Sequence, residues 1–136
     1  MRPYREYRPD QAFLLPSSLI EAIEPRDPVF IVREVVGRLD LSAIHGALQS
    51  ERGQPRFHPQ AMVGLLLYGA CKGIYSSRRL QVACHHDVAF LYLMAWGQPD
   101  FRTIAHFRQR FRKELRGLFR QVLESAAKPV SSALAM

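Results

Sequence analysis

The chain has 136 residues, 48% of them hydrophobic and 23% charged, enough for one folded domain with its own core and too apolar for a disordered chain. Nineteen Lys/Arg against twelve Asp/Glu give a net charge of +7 and a pI of about 10, which favours nucleic acid over acidic-lipid surfaces while leaving both open. The charged start MRPYREYRPD lacks the apolar stretch of a secretory signal, and the longest apolar run, Ala61–Cys71, is shorter than the ~20 residues of a membrane span, so secreted and membrane-spanning classes are set aside and a cytoplasmic location is expected.

Residues 1–15 read as an extended arm, with Pro3 and Pro9, mixed charges and three aromatics. Residues 16–128 form the helical domain, and 129–136 a frayed tail. After Pro16, the run Ser17–Ile23 suggests a short helix ended by Pro25. Asp27-Pro28 is a cap followed by proline at the first helical position. The β-branched run behind it would suit a strand, but Val29, Val32, Val36 and Leu39 recur at helical spacing, and helix is favoured. Asp40-Leu41-Ser42 opens another short helix through Ala47, and Ser50–Phe57 is a polar loop. His58-Pro59 starts a helix over 59–73 that is apolar nearly all round and is predicted to lie at the centre of the fold. Ser76-Ser77 caps a helix ending at His86, and Asp87 caps one that stops at Gly97.

Pro99–Lys113 opens the most informative element, a long helix over 100–127 capped by Asp100. Phe101, Ile104, Phe107, Phe111, Leu115, Leu118, Val122 and Leu123 form its apolar stripe, and Arg102, His106, Gln109, Lys113, Arg116 and Arg120 the opposite face. Like charges at this spacing repel, so so one-sided a face points to a polyanion. The pattern predicts an all-α, compact domain of six or seven helices. Its C-terminal half is helix-turn-helix-like and ends in the long basic helix.

The candidate DNA-binding residues are Arg78, Arg79, Arg102, Thr103, His106, Gln109, Arg110, Lys113 and Arg116. Arginine reads guanine bidentately, glutamine reads adenine, and lysine holds phosphate. Arg78 and Arg79 follow a cap, where side chains and helix amides can share a phosphate. Tyr68, Tyr92 and Trp96 fall in apolar patterns and are assigned to the core, whereas Tyr4 and Tyr7 lie in the arm. His58 is a helix-start residue. Cys71 and Cys84 read as half-buried, reduced thiols, and their spacing to His85 and His86 matches no zinc site. The scattered acids suit caps and surface, and no phosphate loop, GxSxG or HExxH occurs, so no catalytic residue, metal ligand or cofactor is assigned.

Several segments together are similar to a known family: YRPDQAFLLP, VVGRLDLSAI, and the long run from Phe57 to Phe111. The distinctive positions are His58-Pro59, Leu66-Leu67-Tyr68-Gly69, Ser76-Ser77-Arg78, Asp87-Val88-Ala89-Phe90, and Pro99-Asp100 with Thr103-Ile104 and Phe107-Arg108. Over residues 4–127 the chain resembles the N-terminal domain of bacterial insertion-sequence transposases of the DDE class, the InsH-type domain. The resemblance implies a helical module that binds the terminal inverted repeats of a mobile element. It also implies a following ribonuclease-H-like domain whose Asp-Asp-Glu triad holds two Mg²⁺. The chain is expected to be truncated before that domain, so it carries over no triad residue and is not an enzyme by itself. The expected partner is double-stranded DNA. The alternative is a dimerisation or interaction module, or a truncated regulator, meeting a second copy or a full-length transposase.

Overall fold

The structure is a computed structural model, describing the backbone of residues 19–49 and 57–135 and the side chains of 19–49 and 57–124. The predicted arm, most of the polar loop, and the side chains of the tail lie outside the described residues. Eight helices follow in order: α1 Leu19–Ala22, α2 Val29–Arg38, α3 Ser42–Gln49, α4 Pro59–Cys71, α5 Ser77–His86, α6 Val88–Leu93, α7 Phe101–Arg110 and α8 Arg112–Ala135. Among the described residues there is no strand, so the all-α expectation holds.

The helix starts are set by side chains. Asp27 accepts from the Val29 N–H at 2.9 Å, Asp40 from Ser42 at 3.0 Å, Asp87 from Ala89 at 2.9 Å and Asp100 from Thr103 at 2.8 Å. His58 does the same through Nδ1, which accepts from the Gln60 N–H at 3.0 Å with Pro59 next in line. Each satisfies one of the amides that a helix N-terminus leaves without a partner.

α4 is the most enclosed helix: Val63, Leu65 and Tyr68 are 0% exposed. It packs on α2 and α6, and short α6 also touches α1, α2 and α5. Tyr68 ties three elements together. Its ring lies 4.8 Å from that of Phe90 on α6, and its hydroxyl donates to Asp27 at 2.6 Å, ahead of α2. Burial pushes the Asp27 carboxyl up. The hydrogen bonds from Tyr68 and Val29 and the charge of Lys72 outweigh it and hold the group below the usual carboxylate range.

α4 ends in a Schellman turn. The Ile74 N–H reaches the Gly69 carbonyl at 2.7 Å and the Gly73 N–H the Ala70 carbonyl at 3.2 Å, with Gly73 at φ +74°. α6 ends in the same motif without glycine. The Trp96 N–H reaches Leu91 at 2.9 Å and the Ala95 N–H reaches Tyr92 at 3.1 Å, with Ala95 at φ +49° and Trp96 at +69°. Left-handed backbone is costly for residues with a Cβ. The turn also breaks the helical phase, so Trp96 leaves the apolar stripe and is 64% exposed, not in the core as expected. The thiols differ from expectation as well: Cys71 is exposed, and Cys84 is fully buried, its thiol pushed up to about 11 by burial.

The predicted single helix over 100–127 is two helices. Phe111 takes φ −106° and ψ 25°, outside the helical basin, and separates α7 from α8. The break occupies one residue: the Phe111 N–H still reaches Phe107 at 3.0 Å, and the Leu115 N–H reaches Phe111 at 2.8 Å. A straight helix over that span would carry the stripe past Phe111 with no change of direction. The bend instead keeps Phe111, Leu115 and Leu118 buried, at 3%, 4% and 6% exposure. The stripe then gives out, since Leu123 is 72% exposed.

Candidate nucleic-acid interface

The expected DNA-binding residues fall on three helices. Arg78 and Arg79 open α5, Arg102, Thr103, His106, Gln109 and Arg110 lie on α7, and Lys113 and Arg116 lie on α8. α5 and α7 pack against each other, with α6 and the left-handed turn between them in the chain. The start of α7 is fixed twice: the Phe101 N–H donates to Gln81 Oε1 of α5 at 2.8 Å, and the Thr103 N–H to Asp100. The hydrogen bonds from Thr103, together with the Arg102 amide and charge, hold the Asp100 carboxyl below the usual carboxylate range.

This packing brings together two residues 24 positions apart in the chain. The Arg78 guanidinium carbon lies 4.1 Å from the centroid of the Phe101 ring, and that of Arg102 lies 5.7 Å from it. Arg102, His106 and Gln109 are exposed along one face of α7, whose other face buries Ile104 and Phe107, and Thr103 is half-buried. Lys113 and Arg116 are exposed too, but beyond the break, so they share a helix with Arg112 and Arg120 rather than with Arg102. Arg112, Arg116 and Arg120 line one side of a shallow depression whose apolar members are Phe119 and Leu123.

Arg110 stands apart. Half-buried, its guanidinium lies 4.9 Å from the Phe111 ring centroid and donates to the Ala47 carbonyl near the end of α3 at 3.3 Å. The geometry gives it a part in holding the helix break. Phe101 and Gln81 are the residues that sequence reasoning passed over. Phe101 was counted in the apolar stripe, although its place at the first turn, beside arginines, was the available signal.

Charge divides along the chain. From Ser76 to Glu124 there are nine Lys/Arg and four Asp/Glu. Two ion pairs, Arg38–Glu34 at 2.7 Å and Lys72–Asp27 at 3.8 Å, join described residues outside that segment. Asp87 and Asp100 within it are engaged at helix starts. Among the described residues no group of three or more His, Cys, Asp or Glu side chains is placed to hold a metal ion. Among those residues, too, no helix is long and apolar enough to cross a membrane.

A family model described as "Transposase domain (DUF772)" matches residues 17–110. The chain belongs to this transposase-domain family. The match ends at Arg110, the last residue of α7, so the family segment includes the α5–α6–α7 unit and the two arginines beside Phe101. No curated protein and no solved structure matches the chain. The transposase domain therefore comes with a kinship to mobile elements, and the chemistry of its surface has to be argued from its own residues.

Proposed function

We propose that this transposase domain is a duplex-DNA-binding module, resembling the InsH-type N-terminal domain, that recognises the terminal inverted repeats of its element. The observation that carries the reading is the exposed, basic, well-anchored start of α7, with Arg102, His106 and Gln109 on its outer face and Arg78 beside it. An α-helix fits a major groove, and these side chains have the donors and acceptors that base edges and phosphates require. The order α5–α6–α7 supplies the support and the presented helix of a helix-turn-helix arrangement. Lys113 and Arg116, on a separate helix axis, serve as phosphate contacts.

Fluorescence anisotropy at two salt concentrations tests this, with the element's terminal repeat against a scrambled duplex. Tighter binding to the repeat, falling steeply with salt, is the expected result. Equal affinity for both duplexes refutes sequence recognition.

The exposed Leu123 beside half-buried Phe119 favours a second reading, in which α8 meets another copy or a full-length transposase. A strictly monomeric species in sedimentation at micromolar concentration speaks against self-association.

A further inference from the structure

Phe101 is an unusual residue for its position. It is the first residue of α7, only half-buried, and stands outside the packed core. Its ring is occupied instead by two guanidiniums, those of Arg78 and Arg102, both within 5.7 Å of its centroid. A guanidinium held over a ring by cation–π attraction keeps N–H groups free to donate. The contact also restricts a side chain that otherwise samples many rotamers, so less ordering remains to be done when a ligand arrives. Two like charges on one ring repel. Asp100 offsets part of the Arg102 charge while accepting the Thr103 N–H, whereas Arg78 has no carboxylate within ion-pair distance among the described residues. A bridging anion with two accepting oxygens relieves this repulsion, and the non-bridging oxygens of a phosphate have that form.

We propose that Phe101 is a positioning residue that holds Arg78 and Arg102 as a single clamp for one phosphate group of the DNA backbone. The proposal rests on the DNA-binding reading for the source of the phosphate, and on the Arg78–Phe101–Arg102 geometry for the clamp itself. It makes α5 and α7 act together: the contact that fixes the register of α7 on the duplex is made jointly with its supporting helix.

The test uses the full chain and two probes. The first is a short labelled duplex read by anisotropy across a salt series. Arg78→Ala lowers the salt slope by about 0.9, the loss of one phosphate contact. Phe101→Leu weakens binding about two- to fivefold, the size of an exposed cation–π contact, while Phe101→Tyr, which keeps the ring, restores it. Phe101→Leu added to Arg78→Ala costs less than it does alone; strict additivity overturns the clamp. The second probe is inorganic phosphate, followed by the NMR Nε–Hε signals of Arg78 and Arg102. Both signals move together with one apparent Kd in the parent chain and in Phe101→Tyr, whereas in Phe101→Leu they move at a phosphate concentration about two- to fivefold higher and no longer with a common Kd.

Failures of the two readings are distinguishable. Duplex binding with additive substitutions and unmoved signals removes the clamp and leaves DNA recognition to the rest of α7 and α8. Joint movement of the signals without duplex binding keeps the clamp, with free phosphate as its ligand, and removes the DNA reading. No response to either probe removes both.

Discussion

Gly69→Ala is the sharpest test of how α4 and α5 meet. A Cβ on residue 69 would stand 2.7 Å from the Ile74 carbonyl oxygen and 2.7 Å from Leu80 Cδ2. Neither neighbour yields easily. The Ile74 oxygen belongs to the Schellman turn, whose Ile74 N–H is bonded back to Gly69 at 2.7 Å, and Leu80 is 0% exposed. Overpacking of this kind costs about 1–3 kcal/mol, and two contacts this short put the cost near the top of that range. The gain in helix propensity returns about 1 kcal/mol. The expected net loss is about 2 kcal/mol, or roughly 8 °C in Tm for a domain of this size. Gly117→Ala is the matched control, since it sits on α8, is exposed, and has nothing within 4 Å of its would-be Cβ. There propensity acts alone, and a gain of about 0.5–1 kcal/mol is expected. Urea denaturation followed by circular dichroism reads both, with midpoints moving in opposite directions at unchanged slope. Midpoints moving the same way would refute the assignment of Gly69 to a close approach.

Tyr68→Phe removes the hydrogen bond to ionised Asp27 and is expected to cost about 1.5–3 kcal/mol at neutral pH. Because Asp27 is held below its unfolded-state value, the stability it contributes is present above pH ~4 and lost as pH falls through the lowered value, so the penalty of Tyr68→Phe shrinks in acid denaturation series. Ala95→Gly relieves left-handed backbone at the end of α6 and is expected to raise stability by about 0.5 kcal/mol, the relief exceeding the added unfolded-state entropy; a destabilised variant in thermal melts contradicts the turn geometry. Trp96, the one tryptophan in the chain, is expected to emit as a water-exposed indole and to be quenched readily by iodide, whereas a blue-shifted, protected emission would return it to the core. In repeat-binding assays, Arg102→Ala is expected to lose about 1–3 kcal/mol of discrimination at one base pair, and Lys113→Ala to weaken all duplexes alike with a salt slope lower by about 1.

The helices were legible where capping side chains and apolar spacing agreed. Asp27, His58, Ser76, Asp87 and Asp100 announce their helices in the sequence, and each accepts a nearby backbone N–H. The break at Phe111 was not legible, because Phe111 fits the stripe from either side, four residues from both Phe107 and Leu115. Only packing against the rest of the domain decides that the chain bends there. Trp96 was misplaced for a related reason: helical phase was extended across a turn formed by two residues with no glycine among them. On the surface, the exposure of Arg102, His106 and Gln109 followed from the stripe. The pairing of Arg78 with Arg102 did not, since it depends on a tertiary contact between α5 and α7 spanning 20 residues, Gln81 to Phe101.

The bend at Phe111 also has a bearing on evolution of the surface. Along one unbroken helix, the offset between Arg102 and Lys113 would be set by the backbone ladder alone, in steps of about 1.5 Å per residue, and no substitution elsewhere would alter it. Here that offset is geared to a buried ring 5.0 Å from Phe107. A change in the volume of residue 111, invisible from outside, swings α8 relative to α7 and resets the distance between two groups of positive charge. Selection acting on the interior of such a domain can therefore reset the spacing of its exposed positive charges without altering any of the residues that carry them.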